Sequence, residues 1–314
     1  MPNLKDIKLR IKSIKNTQKI TQAMKMVAAA KVKKAENAVK ASRPFSEAIK
    51  SVFKKVYNSA KSTSQDGIKS EVAIENYPVL LSSREVKTVG ILAITSNKGL
   101  AGAYNANIVR KTIARVKELK EQNIEVKLFI IGQKGVNGLK DFVRKNDINV
   151  VNTYTKMPQN VTVGATNLII EEMAEHFVSE SIDSIEVITT KFKSMLSFVP
   201  EIIGVLPVKV EAEPAKEILQ ELGDAPLHPE MLFEPSAEDV LKKIVPQYLS
   251  NSVYQACLEA QASELASRMT AMSNATTNAE DMIRILTIDY NKARQGAITQ
   301  ELLEVVSGAN ALGG

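Results

Sequence analysis

Two stretches of this chain repeat apolar residues in steps of three and four for longer than a compact domain can hold. Residues 3–58 contain no glycine and one proline, Pro44. Leu4, Ile7, Ile11 and Ile14 open a seam that is predicted to resume at Ile20, Met24 and Val27. After a phase shift it continues at Ala35, Ala38, Ser42, Phe45, Ile49, Val52 and Val56, with a bend or pause at Ser42-Arg43-Pro44. Near the other end, Leu258, Ala262, Leu265, Met269, Met272, Thr276, Ala279, Ile283, Leu286, Tyr290, Ala293 and Ala297 keep the same steps. The pattern restarts one residue on, at Ile298, Leu302, Val305 and Ala309, beside Gln295-Gly296. As helices the two segments extend roughly 80 Å and 105 Å at about 1.5 Å per residue. Long helices of modest hydrophobicity draw their stability from packing. Each is the other's available partner, so an antiparallel coiled coil of the two ends follows.

Between them the pattern changes. "VKTVGILAIT" (86–95), "VKLFIIG" (126–132), "SIEVITTKF" (184–192) and "VPEIIGVLPV" (199–208) read as buried strands. Helical stretches at about 105–122 and 160–180 separate them, which predicts a sheet with helical crossovers. The fold class is an α/β domain inserted between N- and C-terminal long helices that form the coil. The expected domain bounds are 1–58 for the first helix, 59–85 for a linker, 86–208 for a Rossmann-like α/β domain, 209–236 for a second linker and 237–314 for the last helix.

Charge is unevenly placed. The net charge is +6, but residues 1–60 carry 15 Lys and Arg against Asp6, Glu36 and Glu47, a local +12 that leaves −6 for the rest. A basic arm on an otherwise acidic chain points to an acidic partner, which on charge alone is either nucleic acid or a carboxylate-rich protein. The N-terminus shows no secretory pattern, no run is long and apolar enough to span a bilayer, and the single Cys257 has no partner for an intrachain disulfide.

Catalytic constellations are not legible. "SNKGLAGAYN" (96–105) follows a strand and opens a helix, where a phosphate loop would sit, but it lacks both G-x-G-x-x-G and the P-loop ending. It reads as a tight turn with Asn105 as N-cap; a dinucleotide-dependent α/β enzyme would instead bind nucleotide near Gly99 and Gly102. His176, His228 and Cys257 have no metal-ligand spacing, and Met24, Met26, Met269 and Met272 stand at heptad positions. No cofactor or metal is assigned.

The ends also carry a resemblance. "IKSIKNTQKITQAMKMVAAAKVKKA" (11–35) and "YNKARQGAITQELLEVVSGANAL" (290–312) resemble the N- and C-terminal signatures of the gamma subunit of F-type ATP synthases. "ITSNKGLAGAYN" (94–105) and "IIGQKGV" (130–136) are similar to that family's central segments. The resemblance implies a central-stalk rotor that couples rotation of the membrane c ring to ATP synthesis or hydrolysis on the beta subunits, and that regulates ATPase activity and proton flow. Its partners would be the hexamer of alpha and beta subunits, the epsilon subunit and the c ring, without nucleic acid, and with membrane contact only through the ring. Catalysis would reside on the beta subunits, so this chain would not itself be an enzyme, and it would sit peripherally on the cytoplasmic side of a bacterial cell membrane. Met24, Lys25, Arg294, Gln295, Thr299 and Glu301 match positions gripped by the hexamer, while Leu206, Val208, Lys209 and Glu211 would approach the c ring or epsilon. Two segments, 59–85 and 209–229, look longer than in compact family members, and one cysteine does not match the cysteine pair of light-regulated chloroplast members. A nucleic-acid-binding coiled coil is the competing reading of the basic arm.

Overall fold

The computed structural model describes residues 4–63, 80, 84–156, 161–195, 197–208, 234 and 237–312. Its elements in chain order are α1 (Leu4–Thr63), β1 (Thr88–Ile94), α2 (Tyr104–Glu121), β2 (Glu125–Ile131), α3 (Gln133–Asn146), β3 (Asn149–Tyr154), α4 (Val163–Val178), β4 (Ser184–Phe192), β5 (Phe198–Leu206) and α5 (Ala237–Leu312). The chain forms two compact units.

The first unit takes Met1–Lys31, Leu100–Gly102 and Leu265–Gly314. Here α1 and α5 pair in opposite directions: Gln18 Nε2 donates to Glu280 Oε1 at 3.0 Å, and the Thr21 and Thr276 hydroxyls lie 2.9 Å apart. On α5 the expected positions Met269, Met272, Thr276, Ala279, Ile283, Leu286, Tyr290, Ala293 and Ala297 are all protected.

On α1 the expected seam needs correction. The protected positions include Leu4, Ile7, Ile11, Ile14, Gln18, Thr21, the expected Met24 and Ala28, and in the second unit Val32, Ala35, the expected Ala38, Val39, Ser42, Ser46, Ile49, Phe53 and Val56. These keep one heptad phase along the helix except at Lys25, which is exposed while the neighbouring Met24 is protected. Ile20 and Phe45 face outward, 60% and 59% exposed, as do Val27 and Val52. The physical reason lies in Gln18 and Thr21. Each finds a hydrogen-bonding partner across the seam, so the helix need not rotate to bury Ile20 in their place. Nor does Pro44 end the helix, which continues through it to Thr63.

The second unit takes Val32–Gly99 and Ala103–Glu264. Its five-stranded sheet has the order β3-β2-β1-β4-β5, parallel except for the antiparallel β4–β5 pair. The central strand β1 is buried along nearly its whole length, which is why it reads as a continuous apolar run. The helix α2 packs through Tyr104, Ile108, Thr112, Val116 and Leu119, one face at helical spacing. It is tied to β4 by Arg115, whose Nε and Nη2 donate to Glu186 at 2.8 and 2.6 Å. The main core joins Leu92, Ile94, Phe129, Ile131 and Val187 to Ile169, Ile170, Met173 and Phe177 of α4, and to residues of both long helices: Phe53 and Val56 from α1, and Leu241, Val245, Leu249, Val253, Ala256, Cys257 and Ala260 from α5. The sheet's core thus draws on segments far outside the predicted α/β stretch.

One crossover, α3 followed by β3, is absent from the predicted elements. Gly135 stands on α3 because a Cβ there would lie 2.6 Å from Thr95 Oγ1, so the helix can approach β1 only with glycine.

Two measurements test this packing. Phe53 is fully buried and stacks on Tyr248 with ring centroids 4.9 Å apart. Phe53→Ala should destabilise the fold by about 3–5 kcal/mol, read as a lower urea midpoint. Burial pushes the Cys257 thiol from 9.0 up to about 12. A raised folded value means that the neutral thiol's contribution is complete below pH 9 and is lost as pH rises from 9 towards 12. Relative to a Cys257→Ala variant, the wild-type chain should lose stability across that window, and iodoacetamide should label Cys257 at pH 8 only after denaturant is added.

Candidate functional site

The end of α5 extends past the first described residue of α1. In the register set by Gln18–Glu280 and Thr21–Thr276, Leu4 falls opposite Ala293 and Arg294. Arg294, Gln295 and Gly296 therefore mark the position at which α5 passes the first described residue of α1. Beyond it, Ile298, Leu302, Leu303, Val305 and Val306 are 47 to 69% exposed. The restart of the pattern at Ile298 is thus not a continuation of the seam; through residue 308, Ala297 is the last protected position, and Ile298, Leu302 and Val305 face solvent. A helix this short is marginal in water on its own, and a stripe of this kind marks an interaction surface.

The expected contact residues fall into three groups. Arg294, Gln295, Thr299 and Glu301 are all exposed on this tail, with the Thr299 hydroxyl donating to Gln295 O at 3.0 Å. Gly296 sits among them, and a Cβ built there meets nothing within 4 Å, so the missing side chain serves no packing inside the chain. Met24 is half-buried and Lys25 exposed on α1. Leu206 and Val208 are only 1% and 7% exposed and belong to the main core. Their expected role as contacts to another subunit is corrected: burying them completes the chain's own fold. Lys209 and Glu211 lie outside the described residues, as does His228.

Sequence reasoning missed one feature of the first unit. Lys5, Lys8, Lys12, Lys15 and Lys19 line a single groove with Leu9, Glu280 and Ile283. The signal was present in their three- and four-residue spacing, which puts them on one helical face.

The loop at 96–105 is closed on itself. Asn105 is not the N-cap of α2; Ala103 holds that place, and Asn105 Oδ1 instead accepts from Ser96 N at 3.0 Å. Gln133 N donates to Asn97 Oδ1, also at 3.0 Å. In the first unit Ser267 Oγ donates to Ala101 O at 2.7 Å, and the space beside Gly102 is filled, since a Cβ there would lie 3.0 Å from that hydroxyl. Gly102 has φ +53°, so its freedom is used for the turn. Ser96 N and Ala101 O of this loop are thus engaged within the fold. His176 is likewise absorbed, with Nδ1 3.0 Å from Ser181 Oγ and its ring edge-on to Phe129. Among the described residues no helix is long and apolar enough to cross a membrane.

Comparisons with known proteins agree with two long helical ends around an inserted mixed sheet. The family profile described as ATP synthase matches residues 3–312. The ATP synthase gamma chain of Picosynechococcus sp. is 42% identical over 332 residues, covering 99% of this chain and 100% of that protein. The gamma chain of Gloeothece citriformis is 40% identical over 329 residues, with the same coverage. Among solved structures, a chain from the central stalk and c-ring of the Tetrahymena thermophila mitochondrial ATP synthase aligns with a TM-score of 0.57 and 29% identity, covering 82% of this chain and 99% of that one. A chain of the Euglena gracilis mitochondrial ATP synthase rotor shares the fold, with a TM-score of 0.61 and 18% identity over 94% and 98% of the two chains. Two full-length helical ends, an inserted mixed sheet and these full-length likenesses lead to one conclusion: the chain belongs to the ATP synthase gamma-chain family.

Proposed function

We propose that this chain is the central-stalk rotor of a proton-translocating F-type ATP synthase, coupling rotation of the c ring to ATP synthesis or hydrolysis on the beta subunits. The observation that carries this reading is the tail of α5, where an exposed apolar stripe and a polar cluster share a helix that extends past the first described residue of α1. Such a helix requires an enclosing protein, and the hexamer of alpha and beta subunits supplies one. Met24, Lys25, Arg294, Gln295, Thr299 and Glu301 are its contacts, and Gly296 lets the neighbouring backbone come close. The row from Lys5 to Lys19 suits acidic loops on that hexamer. The chain contributes no catalytic group. The α/β unit faces the c ring and the epsilon subunit, and the complex holds the chain peripherally on the cytoplasmic side of the cell membrane.

Polar contacts suit a rotor better than a fixed apolar seal, because they must hold in one angular state and release in the next. Charge-assisted hydrogen bonds of about 1.5–3 kcal/mol are strong enough to hold and weak enough to be crossed by ATP-driven steps.

Two experiments bear on the reading. In the free chain the amides of residues 298–308 should exchange with deuterium quickly, while those of 272–286 are protected; on assembly with alpha and beta subunits the tail should become protected. A tail that stays fast in the complex would remove the enclosure. Separately, Arg294→Ala and Gln295→Leu should each lower ATP turnover of the reconstituted complex, by roughly ten-fold for loss of one charge-assisted bond. Helix content of the free chain, measured by circular dichroism, should not change. Wild-type turnover in both assembled variants would reduce these residues to an ordinary helix end.

A further inference from the structure

The sheet meets the long helices of the second unit mostly through apolar side chains, and apolar contact is not directional. At the end of β4 the contact changes character. Thr189 Oγ1 donates to Ala256 O at 3.1 Å, and Ser263 Oγ lies 3.4 Å from Thr190 O. Between them, Phe192 has both backbone groups taken by side chains from the two long helices. Its N–H donates to Glu259 Oε2 of α5 at 3.2 Å, and its carbonyl accepts from Arg43 Nη2 of α1 at 3.0 Å. Arg43 Nη2 also lies 3.4 Å from Glu259 Oε1, so the ring closes, and the Glu259 carboxylate side chain is only 12% exposed. Gln255 Nε2 adds a third donor to that carboxylate at 3.1 Å. Hydrogen bonds weaken steeply with angle, so a closed ring of them resists sliding and twisting where an apolar layer yields.

We infer that the Arg43–Glu259 pair, closed around the Phe192 peptide, is the lock through which load passes between the sheet and the helix pair, with Glu259 as its positioning residue. This rests on the rotor reading. In that reading, torque arriving at the α/β unit must turn the helices through the same angle. Without the lock, the sheet yields against the helices under load while the apolar core stays formed. The groove of about 350 Å³ beside the ring, lined by Glu36, Lys40, Arg43, Phe192 and Met195, leaves room for this yielding.

The experiment uses the complete complex reconstituted in liposomes, with ATP hydrolysis and ATP-driven proton pumping measured on the same vesicles. Glu259→Gln removes the charge and one acceptor at nearly constant volume. It should retain hydrolysis and lose pumping per ATP hydrolysed. Asn251→Ala deletes a link between the two helices alone, Asn251 Nδ2 to Ser46 Oγ at 2.8 Å, and should pump as the wild type does. In the free chain, the Phe192 amide of Glu259→Gln should exchange about ten-fold faster, as for loss of a charge-assisted bond. An unchanged Phe192 amide, wild-type pumping per ATP in Glu259→Gln, a parallel fall of both activities, or an equal loss in Asn251→Ala would each overturn the lock. A wild-type chain that fails to assemble with the other subunits would overturn the rotor reading instead, and the Phe192 exchange would still test the lock.

Discussion

Neither long helix can satisfy itself, and the rest of the fold follows from how they satisfy each other. In the first unit α1 and α5 meet through a seam that mixes small or polar residues, Thr21, Ala28, Thr276 and Ala279, with Ile7, Ile11, Ile14, Met272 and Ile283. The small contacts contribute little individually, so the pairing depends on length and on keeping the heptad phase. In the second unit the same two helices supply Phe53, Val56, Leu241, Val245, Leu249 and Val253 to the core beneath the sheet. Removing either helix would expose one face of the sheet to water. The sheet and these helix segments are therefore one cooperative structure, although the two helices arise from chain segments more than a hundred residues apart.

This mutual dependence gives the chain its functional character. Membership of the ATP synthase gamma-chain family agrees with a molecule whose specific polar contacts are placed between elements and at a helix end, not around a pocket. Arg115–Glu186 ties α2 to β4, Arg43–Glu259 ties α1 to α5 at a strand end, and Gln18–Glu280 pins the register of the helix pair. Each joins residues far apart in sequence. Buried or half-buried ion pairs contribute modestly to stability, and their directional geometry favours one arrangement over its neighbours.

The long-range plan was readable because its signals repeat. The seam from Leu258 to Ala297 offers twelve positions, and all of them are protected. The four strands that were predicted are the apolar ones. What escaped was local chemistry that tertiary contact reverses. The helix α3 carries Gly135 for close approach to Thr95, so its glycine content argued against the helix it permits. The edge strand β3, "NVVNTY", is half polar, and with one face wet it lacks the apolar run that betrays a central strand. The α1 seam was misphased because Ile20 and Phe45 look like core, whereas Gln18 and Ser46 do not; hydrogen bonds from Gln18 to Glu280 and from Asn251 to Ser46 invert that preference. For the candidate site, the residues of the tail were legible as a polar interruption. The reason for it was not, since only the antiparallel register shows where α1 begins opposite α5. Leu206 and Val208 were misassigned because an apolar strand end reads alike whether it faces a partner or the chain's own core.

The one-residue step from Ala297 to Ile298 has a geometric consequence. Each residue of an α-helix turns about 100°, so the stripe through Ile298, Leu302 and Val305 is rotated by about that angle from the seam that ends at Ala297. Gln300 and Glu304, hydrogen-bonded to each other at 3.0 Å, lie on the far side of the same turns. Seen down its axis, the tip is eccentric, greasy on one flank and hydrophilic on the other, with its orientation set by the seam below. Identical neighbours arranged around such a tip would each meet a different flank at any instant, and would exchange those flanks in order as it turned. The helix end is shaped as a cam, and a single-residue offset in a heptad count is enough to make it one.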